Sequence, residues 1–349
     1  MALEPESSFC VGMADWSIKL VFDTPVPPLP SIYLADRNSE LNTRSSELRV
    51  SLLGDVPKIS WIHDNEQQDL SELLDCLGGR RFNAVGNASY ADSCVFSDVV
   101  FGDAPALELR NGDLHVLNPE HRHVYIDTVM TWLMLRESSL VSVHAAVCAV
   151  GEIGLVLLGP SRAGKSTLAC ALAAQGADYY GDESAYFDKR DGRLYVHVRS
   201  PALRPGGRKL LATPPAGDWY EAKPGDPKFA ASVPVSERPC PSDQSILFFL
   251  DGFGEAALTP IPGGEATVRL ARVLGHGNPT VSVQLDTAAD LVSRFPCHRL
   301  TVGPPDATAK MLIAFVSAVT VAADRQTCGA PCSYDGSPRR TETDPSSNR

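Results

Sequence analysis

The sequence predicts an α/β (α+β) protein in which a β-rich N-terminal domain precedes a domain that mixes strands and helices. Three observations lead to this prediction. The chain has 349 residues, which is more than one hydrophobic core usually organises, so about two domains are expected. Residues 16–62 hold short alternating apolar runs, which are typical of half-buried strands. From residue 140 onward, strand-like and helix-like runs alternate along the chain.

The composition and charge exclude several classes of protein. With 44% hydrophobic and 21% charged residues, the chain is neither a disordered polymer nor a fibrous repeat. A net charge of −11 argues against broad contact with nucleic acid or anionic lipid, because both need clustered Lys and Arg. The first residues lack the features of a secretory signal, and the longest apolar stretch, Met311 to Ala323, is too short to span a bilayer. We therefore expect a cytoplasmic protein with no nucleic-acid or membrane partner.

Strands dominate the predicted N-terminal domain, residues 1–120. Four alternating runs are separated by Pro, Asn, Asp and Gly: WSIKLVF, SIYLAD, ELRVSLL and KISWIH. A helix is predicted over residues 69–77, where it would end at Gly78-Gly79. Asn111-Gly112 lies between two further alternating runs and is the best hairpin signal in the chain, because both residues tolerate positive φ.

The second predicted domain, residues 121–324, begins with an amphipathic helix over residues 121–136. The elements expected next are the strands SLVSVHAAV and GLVLLG, a helix over residues 164–175, a hairpin turning on Asp191-Gly192, the strand SILFFLDG, helices over residues 265–273 and 286–294, the strand CHRLTVG and a terminal helix. Residues 212–243 contain seven prolines, so they predict an irregular insertion in place of a helix or central strand. Residues 325–349 are expected to form a disordered tail.

A phosphate-binding signature follows the strand GLVLLG. Gly159, Gly164, Lys165 and Ser166 have the GxxxxGK[ST] spacing, with an apolar strand before them and an Ala- and Leu-rich helix after them. In such a loop the backbone N–H groups converge on phosphate, the lysine reaches the β and γ phosphates, and the Ser166 hydroxyl would bind Mg²⁺. The residues predicted to bind the nucleotide are Gly159, Pro160, Ser161, Arg162, Ala163, Gly164, Lys165, Ser166 and Thr167.

Acidic residues on two strands are candidates for the metal and the proton transfer. Asp182 and Glu183 follow the strand-like run ADYYG, and a return strand packed beside the loop strand would aim Asp182 at the γ-phosphate. Asp251 ends the apolar run ILFFLD, which fits either a metal-binding strand of an ATPase or an ordinary buried strand capped by an Asp-Gly turn. The sequence leaves open whether Asp251 or the pair Asp182 and Glu183 holds the metal.

The segments SVHAAV, GLVLLGPSRAGKST and GADYYGDE, in this order and at short intervals, resemble the HPr kinase/phosphorylase superfamily. They are more similar to its shorter relatives, such as the kinases of lasso-peptide gene clusters that phosphorylate a serine of the precursor peptide. The resemblance is specific from Leu140 to Arg208, and it implies a nucleotide domain related to phosphoenolpyruvate carboxykinase. It also implies ATP and Mg²⁺ as cofactors, with Asp182 as the catalytic base, Glu183 assisting the metal and His144 near the phosphates. Without the resemblance, His144 would be interpreted as a core residue.

Three departures from the family pattern bear on the activity. The EIRGLG-type signature of the reverse phosphorolysis is absent, so phosphorylase activity is not expected. Arg162 replaces a glycine usual at that point of the loop, and Thr167 stands where a carboxylate is common. Arg162 either adds positive charge to the nucleotide site or points into solvent.

The predicted function is an ATP-dependent serine kinase that transfers the γ-phosphoryl group to a hydroxyl of a peptide or protein, such as a precursor peptide. The alternatives are a kinase for a small metabolite hydroxyl and a non-catalytic module that nucleotide binding switches. Arg204, Arg208 and Lys228 are candidate substrate-binding residues, since an acidic chain carries few local clusters of positive charge. The family resemblance makes homo-oligomers a further expectation.

Overall fold

A computed structural model describes strands within the first 117 residues and most of the chain from residue 139 to residue 328. The described ranges are 7–13, 16–22, 44–53, 56–63, 66–68, 82–84, 93–98, 105–110, 113–117, 129, 136, 139–196, 199–221, 225–238, 240–241, 244–274 and 281–328. The helix predicted over residues 69–77 and the strand SIYLAD lie outside these ranges. Of the helix predicted over residues 121–136, Val129 and Arg136 are described, and both are helical.

Nine strands of the N-terminal region form one sheet. They are β1 (Ser7–Met13), β2 (Trp16–Phe22), β3 (Arg44–Leu53), β4 (Val56–His63), β5 (Glu66–Gln68), β6 (Phe82–Ala84), β7 (Ser93–Asp98), β8 (Pro105–Arg110) and β9 (Asp113–Val116). Their order is β1-β2-β3-β4-β9-β8-β7-β6, with β5 paired to β4. Arg110 and Asp113 are register partners across β8 and β9, so the chain reverses at Asn111-Gly112 as predicted.

The remaining strands form three sheets. They are β10 (Leu140–Val143), β11 (Ala145–Val150), β12 (Ile153–Leu158), β13 (Asp178–Gly181), β14 (Ala185–Asp188), β15 (Leu194–Val196), β16 (Ala202–Leu203), β17 (Gly217–Glu221), β18 (Pro227–Ala231), β19 (Ser245–Phe253), β20 (Ala257–Pro260) and β21 (Cys297–Val302). The central sheet has the order β13-β11-β12-β19-β21-β20, and β10-β14-β15 and β16-β18-β17 form the two smaller sheets. Strand β19 pairs in parallel with both β12 and β21, so the central sheet is mixed.

Five helices are described in this part of the chain: α1 (Lys165–Ala174), α2 (Pro205–Lys209), α3 (Gly263–Ala271), α4 (Val281–Arg294) and α5 (Pro305–Cys328). The helices cover both faces of the central sheet, because successive side chains of a strand point to opposite faces. Leu155 and Leu157 of β12 belong to a core cluster with residues of α1 and α5. Val156 and Leu158 of the same strand belong to a second cluster with residues of α3 and α4. The central part of the chain is therefore a mixed α/β structure of three layers.

The prediction that residues 212–243 form an irregular insertion is wrong in one respect, because this segment contains a β-hairpin. Strands β17 and β18 pair antiparallel, with Trp219 opposite Phe229 and Tyr220 opposite Lys228. The prolines do not prevent this pairing, since Pro227 occupies the first position of β18, where the missing N–H is tolerated.

Two helix boundaries also differ from the prediction. Helix α4 begins at Val281, five residues before the predicted start at Asp286. Helix α5 extends to Cys328, so residues 325–328 are helical and not part of a disordered tail. Neither Gly nor Pro interrupts the sequence between Pro305 and Gly329, which explains why this helix continues.

No helix among the described residues is long and apolar enough to cross a membrane.

Candidate functional site

The phosphate loop, residues 159–167, connects the central sheet to its first covering helix. Strand β12 ends at Leu158 and α1 begins at Lys165, so the motif lies on the strand-loop-helix turn that its sequence predicts. Gly164 is the N-cap of α1 and has a φ of 97°, a backbone conformation that favours glycine. Arg162 also has positive φ, 70°, although it carries a side chain. A glycine at this position would relieve that strain.

The Lys165 side chain is held inside the phosphate loop. Its Nζ donates hydrogen bonds to the carbonyl oxygens of Gly159, at 2.7 Å, and Pro160, at 3.0 Å. Burial lowers the pKa of Lys165, and the negative charges of Asp182 and Glu183 oppose that effect. The loop therefore holds a buried ammonium group next to two carboxylates.

Asp182 lies just beyond the end of β13 and is 1% exposed. The prediction that its strand packs directly beside the loop strand is wrong, because β11 lies between β13 and β12. Strand β12 pairs with β11 in a hairpin on one edge and with β19 on the other, so neither edge of β12 is open to β13. Asp182 nevertheless lies near the loop, since hydrogen bonding with Ser166 is one of the causes that oppose the rise of its pKa.

The hydrogen bonding of the Asp182 carboxylate is incomplete. Oδ2 accepts a hydrogen bond from the backbone N–H of Ala202 at 3.2 Å, whereas Oδ1 has no partner among the described residues. Burial raises the pKa of Asp182, and its hydrogen bonds with Ser166 and with the backbone N–H groups of Ala202 and Glu183 oppose this effect. A buried oxygen with no partner is costly to the fold and is available to a ligand.

Glu183 and His144 form a second polar pair beside Asp182. Nδ1 of His144 lies 2.9 Å from the carbonyl oxygen of Glu183 and 3.9 Å from its Oε1. Glu183 has a φ of 74°, which is unusual for a residue with a side chain. Burial works to raise the pKa of Glu183, but nearby positive groups, with His144 foremost and then Lys228, lower it overall. Glu183 is therefore the more readily ionised of the two neighbouring acids.

Oxygen groups of the site fit a magnesium ion. The Ser166 hydroxyl and the Glu183 carboxylate are hard ligands, and both line the cavity above the phosphate loop. Asp182, which is 1% exposed, is not among the lining residues and lies behind them with its Oδ1 unpartnered. No cluster of three or more His, Cys, Asp or Glu residues suited to a metal occurs among the residues that the structure describes. Since Mg²⁺ is usually bound by one or two carboxylates together with substrate phosphates, this small set fits magnesium better than a metal that needs a closed protein cage.

A cavity of about 480 Å³ opens above the phosphate loop. Its polar lining includes His144, Lys165, Glu183, Arg204 and Lys228. Its apolar lining includes Leu210, Phe253, Val302 and Pro305, and Phe253 and Val302 lie against Gly164. The volume is in the range of small-molecule sites, about 300–1,000 Å³.

The candidate substrate-binding residues separate into two groups. Arg204 and Lys228 line the cavity, and Arg204 forms an ion pair with Asp226. Arg208 is not among the lining residues, because its guanidinium stacks over the ring of Phe229 at 4.4 Å from the ring centroid. The buried Nε of Arg208 has no hydrogen-bond partner among the described residues, and the contact of Arg208 with substrate stays a prediction.

Asp251 lies outside the cavity lining, although its strand is the parallel neighbour of β12. Its Oδ2 accepts a hydrogen bond from Arg269 at 2.8 Å and lies 3.3 Å from Nε of Arg299. Hydrogen bonding with Arg269 lowers the pKa of Asp251. Of the two interpretations left open by the sequence, an ordinary strand end stabilised by ion pairs fits the structure better than a metal ligand.

The apolar lining of the cavity and the glycines of α2 were not predicted from the sequence. Phe253 directly follows the Asp251-Gly252 turn, and an aromatic residue after a predicted strand end was the available signal. Gly206 and Gly207 also line the cavity, and a Cβ at Gly207 would lie 2.5 Å from Oγ1 of Thr167. Helix α2 thus packs directly on the phosphate loop, which no sequence pattern indicated.

Comparisons with known proteins find a likeness among solved structures alone. No family model matches the sequence, and no curated protein matches it. Among solved structures, the Hpr(Ser) kinase/phosphatase from Coxiella burnetii covers 52% of this chain and 98% of its own, with 11% sequence identity and a TM-score of 0.25. This likeness is too distant to place the chain in that family.

Proposed function

We propose that this protein is an ATP-dependent kinase that phosphorylates a serine-type hydroxyl of a peptide or protein. One observation carries the proposal: a buried carboxylate with an unpartnered oxygen, Asp182, lies beside a GxxxxGKS loop whose lysine is buried. A phosphate-binding loop alone would bind nucleotide. The adjacent buried acid supplies the group that a transfer to a hydroxyl needs.

In the proposed reaction the triphosphate of ATP binds along the phosphate loop. Lys165 offsets the negative charge of the β and γ phosphates, and the N-terminus of α1 presents its free backbone N–H groups to them. Ser166 and Glu183 would hold Mg²⁺, which neutralises charge on the phosphate oxygens when it is bound, and the Asp182 carboxylate is left to accept the proton.

The transfer itself makes one bond and breaks one bond at phosphorus. The acceptor hydroxyl oxygen bonds to the γ-phosphorus while the bond from that phosphorus to the β–γ bridging oxygen breaks, so ADP leaves with that electron pair. The hydroxyl proton passes to Asp182, whose pKa is raised by burial and is therefore better matched to accepting a proton than that of an exposed carboxylate. Most of the catalysis in this scheme is positioning and charge neutralisation.

A peptide or protein acceptor is favoured by the hairpin β17–β18. Lys228 on this hairpin lines the cavity, and its register partner Tyr220 is 39% exposed. Trp219, on the same strand, is 52% exposed, and exposed aromatic residues beside a cavity are typical of surfaces that bind peptides or proteins. The hairpin therefore offers contact area beyond what a small hydroxyl compound requires.

A phosphoryl-transfer assay tests the proposal. Labelled ATP and Mg²⁺ are incubated with a pool of serine-containing peptides and, separately, with a matched pool in which every serine is replaced by alanine. We expect transfer to the first pool alone. Lys165→Ala should lose nucleotide binding, whereas Asp182→Asn should bind ATP and lose at least 100-fold in transfer rate, since general-base catalysis contributes about 10²–10⁴-fold.

Asp251→Asn is the matched control, because it removes an acid from the strand next to β12 whose carboxylate is paired with Arg269 and Arg299, and it should retain transfer. Undiminished transfer by Asp182→Asn would reject Asp182 as the base. Nucleotide binding without label on either peptide pool would reject the peptide kinase, and label on an added small polyol instead would favour a metabolite kinase.

A further inference from the structure

Phe253 occupies an unusual place beside the phosphate loop. It is the last residue of β19, follows Gly252 with a φ of 81°, and is 69% exposed. Its ring lies against the end of the loop, because a Cβ built on Gly164 would be 3.5 Å from Cε1 of Phe253. A large aromatic side chain left this exposed at the edge of a cavity needs an explanation beyond core packing.

The walls next to Phe253 are apolar as well. Val302 and Pro305 lie at the junction of β21 and α5, and Leu210, which is 62% exposed, follows α2. The positive groups Lys165 and Lys228 line the same cavity. The cavity therefore complements a ligand with a flat apolar body and an anionic tail, which is the chemistry of a nucleoside triphosphate.

Three polar backbone groups beside these apolar side chains have partners within the protein. The N–H of Gly254 donates to the carbonyl oxygen of Val302 at 3.0 Å, and the N–H of Gly303 donates to Oγ1 of Thr308 at 3.0 Å. The carbonyl oxygen of Pro304 accepts from the N–H of Thr308 at 2.9 Å. Strong discrimination between bases requires free donors and acceptors aimed at the base edge, and these groups are not free.

We infer that the nucleobase stacks on Phe253 and that the site consequently accepts ATP and GTP with similar affinity. The inference rests on the proposed function, since it takes the phosphate loop as the site of the triphosphate. Stacking tolerates different bases because every base presents a π face. The phosphates supply the affinity that both nucleotides share, and Phe253 adds to it without reading the base.

Equilibrium binding of Mg·ATP, Mg·GTP and magnesium tripolyphosphate, measured by titration calorimetry, tests the inference. For the unmodified protein we expect the Kd values of ATP and GTP to agree within about threefold. Phe253→Ala should weaken both nucleotides by about 10- to 100-fold, the usual loss for one base–aromatic stack, and leave tripolyphosphate unchanged.

Two further variants separate stacking from simple apolar contact. Phe253→Trp preserves a ring and should bind both nucleotides at least as tightly, whereas Phe253→Leu preserves bulk and should bind them as weakly as the alanine variant.

A 30-fold preference of the unmodified protein for either nucleotide would overturn the inference and leave the proposed function intact. Nucleotide Kd values that do not change when Phe253 is substituted would have the same consequence. Loss of tripolyphosphate binding in Phe253→Ala would also overturn it, by showing that the ring shapes the loop. Failure of the unmodified protein to bind ATP and tripolyphosphate would instead overturn the proposed function, and the inference with it.

Discussion

Asp182 accepts a hydrogen bond from the backbone N–H of Ala202 at 3.2 Å through one carboxylate oxygen, and its other oxygen has no partner among the described residues. The backbone of β16 thus fixes the orientation of the carboxylate, and the second carboxylate oxygen stays available to a ligand. In a fold that pairs most buried polar groups, this is the arrangement expected of a functional site and not of a structural one.

The first prediction concerns the stability cost of that arrangement. Because burial raises the pKa of Asp182, its ionised form destabilises the folded state at neutral pH, and the cost is relieved as pH falls through the raised pKa. Asp182→Asn should therefore increase the free energy of unfolding at pH 7, by about 0.5–2 kcal/mol. Urea unfolding at several pH values should show the gain shrinking towards acid pH.

Asp251→Asn provides the opposite case for this measurement. The Asp251 pKa is lowered by Arg269, so its ionised form stabilises the fold and the asparagine variant should be less stable at neutral pH. If both variants shifted stability in the same direction, the account of Asp182 would be incorrect.

The second prediction concerns Arg162, whose φ of 70° is costly for a residue with a side chain. Left-handed backbone costs roughly 1–2 kcal/mol in residues other than glycine, and the greater freedom of glycine in the unfolded chain offsets part of any gain. Arg162→Gly should therefore raise the free energy of unfolding by about 0.5–1 kcal/mol in urea titrations. Arg162→Ala keeps the strain and removes the charge, so an equal gain in that variant would attribute the effect to charge.

The third prediction compares two neighbouring glycines of α2. A Cβ at Gly207 would meet Oγ1 of Thr167 at 2.5 Å, whereas a Cβ at Gly206 has no heavy atom within 4 Å. Gly207→Ala should lower stability by about 1 kcal/mol, since overpacking outweighs the gain in helix propensity. Gly206→Ala should be neutral or stabilising, because the new methyl group meets nothing and Ala has a higher helix propensity than Gly.

A double-mutant cycle with Thr167→Ala identifies the contact responsible. Adding this change to Gly207→Ala removes the oxygen that the new methyl group meets. The double variant should therefore have a higher free energy of unfolding than the sum of the two single-variant effects predicts. Strict additivity in thermal or urea unfolding would show that Gly207 and Thr167 do not interact in this way.

The fourth prediction concerns Asp188, a buried residue at the end of β14. Burial works to raise its pKa, but hydrogen bonds from Arg190 and Ser139 lower it to about 2. The folded pKa is depressed, so the stabilisation is present above the ordinary value of 3.8 and is lost as pH falls towards 2. Asp188→Asn should cost about 2 kcal/mol at pH 7 and progressively less below pH 4, as measured by urea unfolding.

Asp191→Asn is the matched control in the same hairpin. Asp191 is exposed and accepts a hydrogen bond from the N–H of Arg193 at 2.9 Å, which asparagine can also accept. Its replacement should change stability by less than about 0.5 kcal/mol. A cost at Asp188 that persisted unchanged at low pH would argue against the ionised carboxylate as its source.

Local sequence patterns were sufficient for elements whose structure depends on neighbouring residues. The strand-loop-helix around Gly164, the reversal at Asn111-Gly112 and the hairpin containing Asp191 follow from apolar periodicity and from residues that accept positive φ. The hairpin β17–β18 was missed because seven prolines outweighed a short alternating pattern, and the start of α4 was placed too late.

The sequence by itself determined that a lysine, a serine and a run of backbone amides would converge at the start of one helix, because that geometry is encoded within a few consecutive residues. Tertiary structure decided which distant groups meet them. In the folded protein Asp182 lies near Ser166, although β11 separates their strands. Asp251 forms ion pairs with Arg269 and Arg299, and Phe253 lies beside Gly164. Such contacts depend on strand order and on the packing of separate layers, and no short segment of the chain determines either of them.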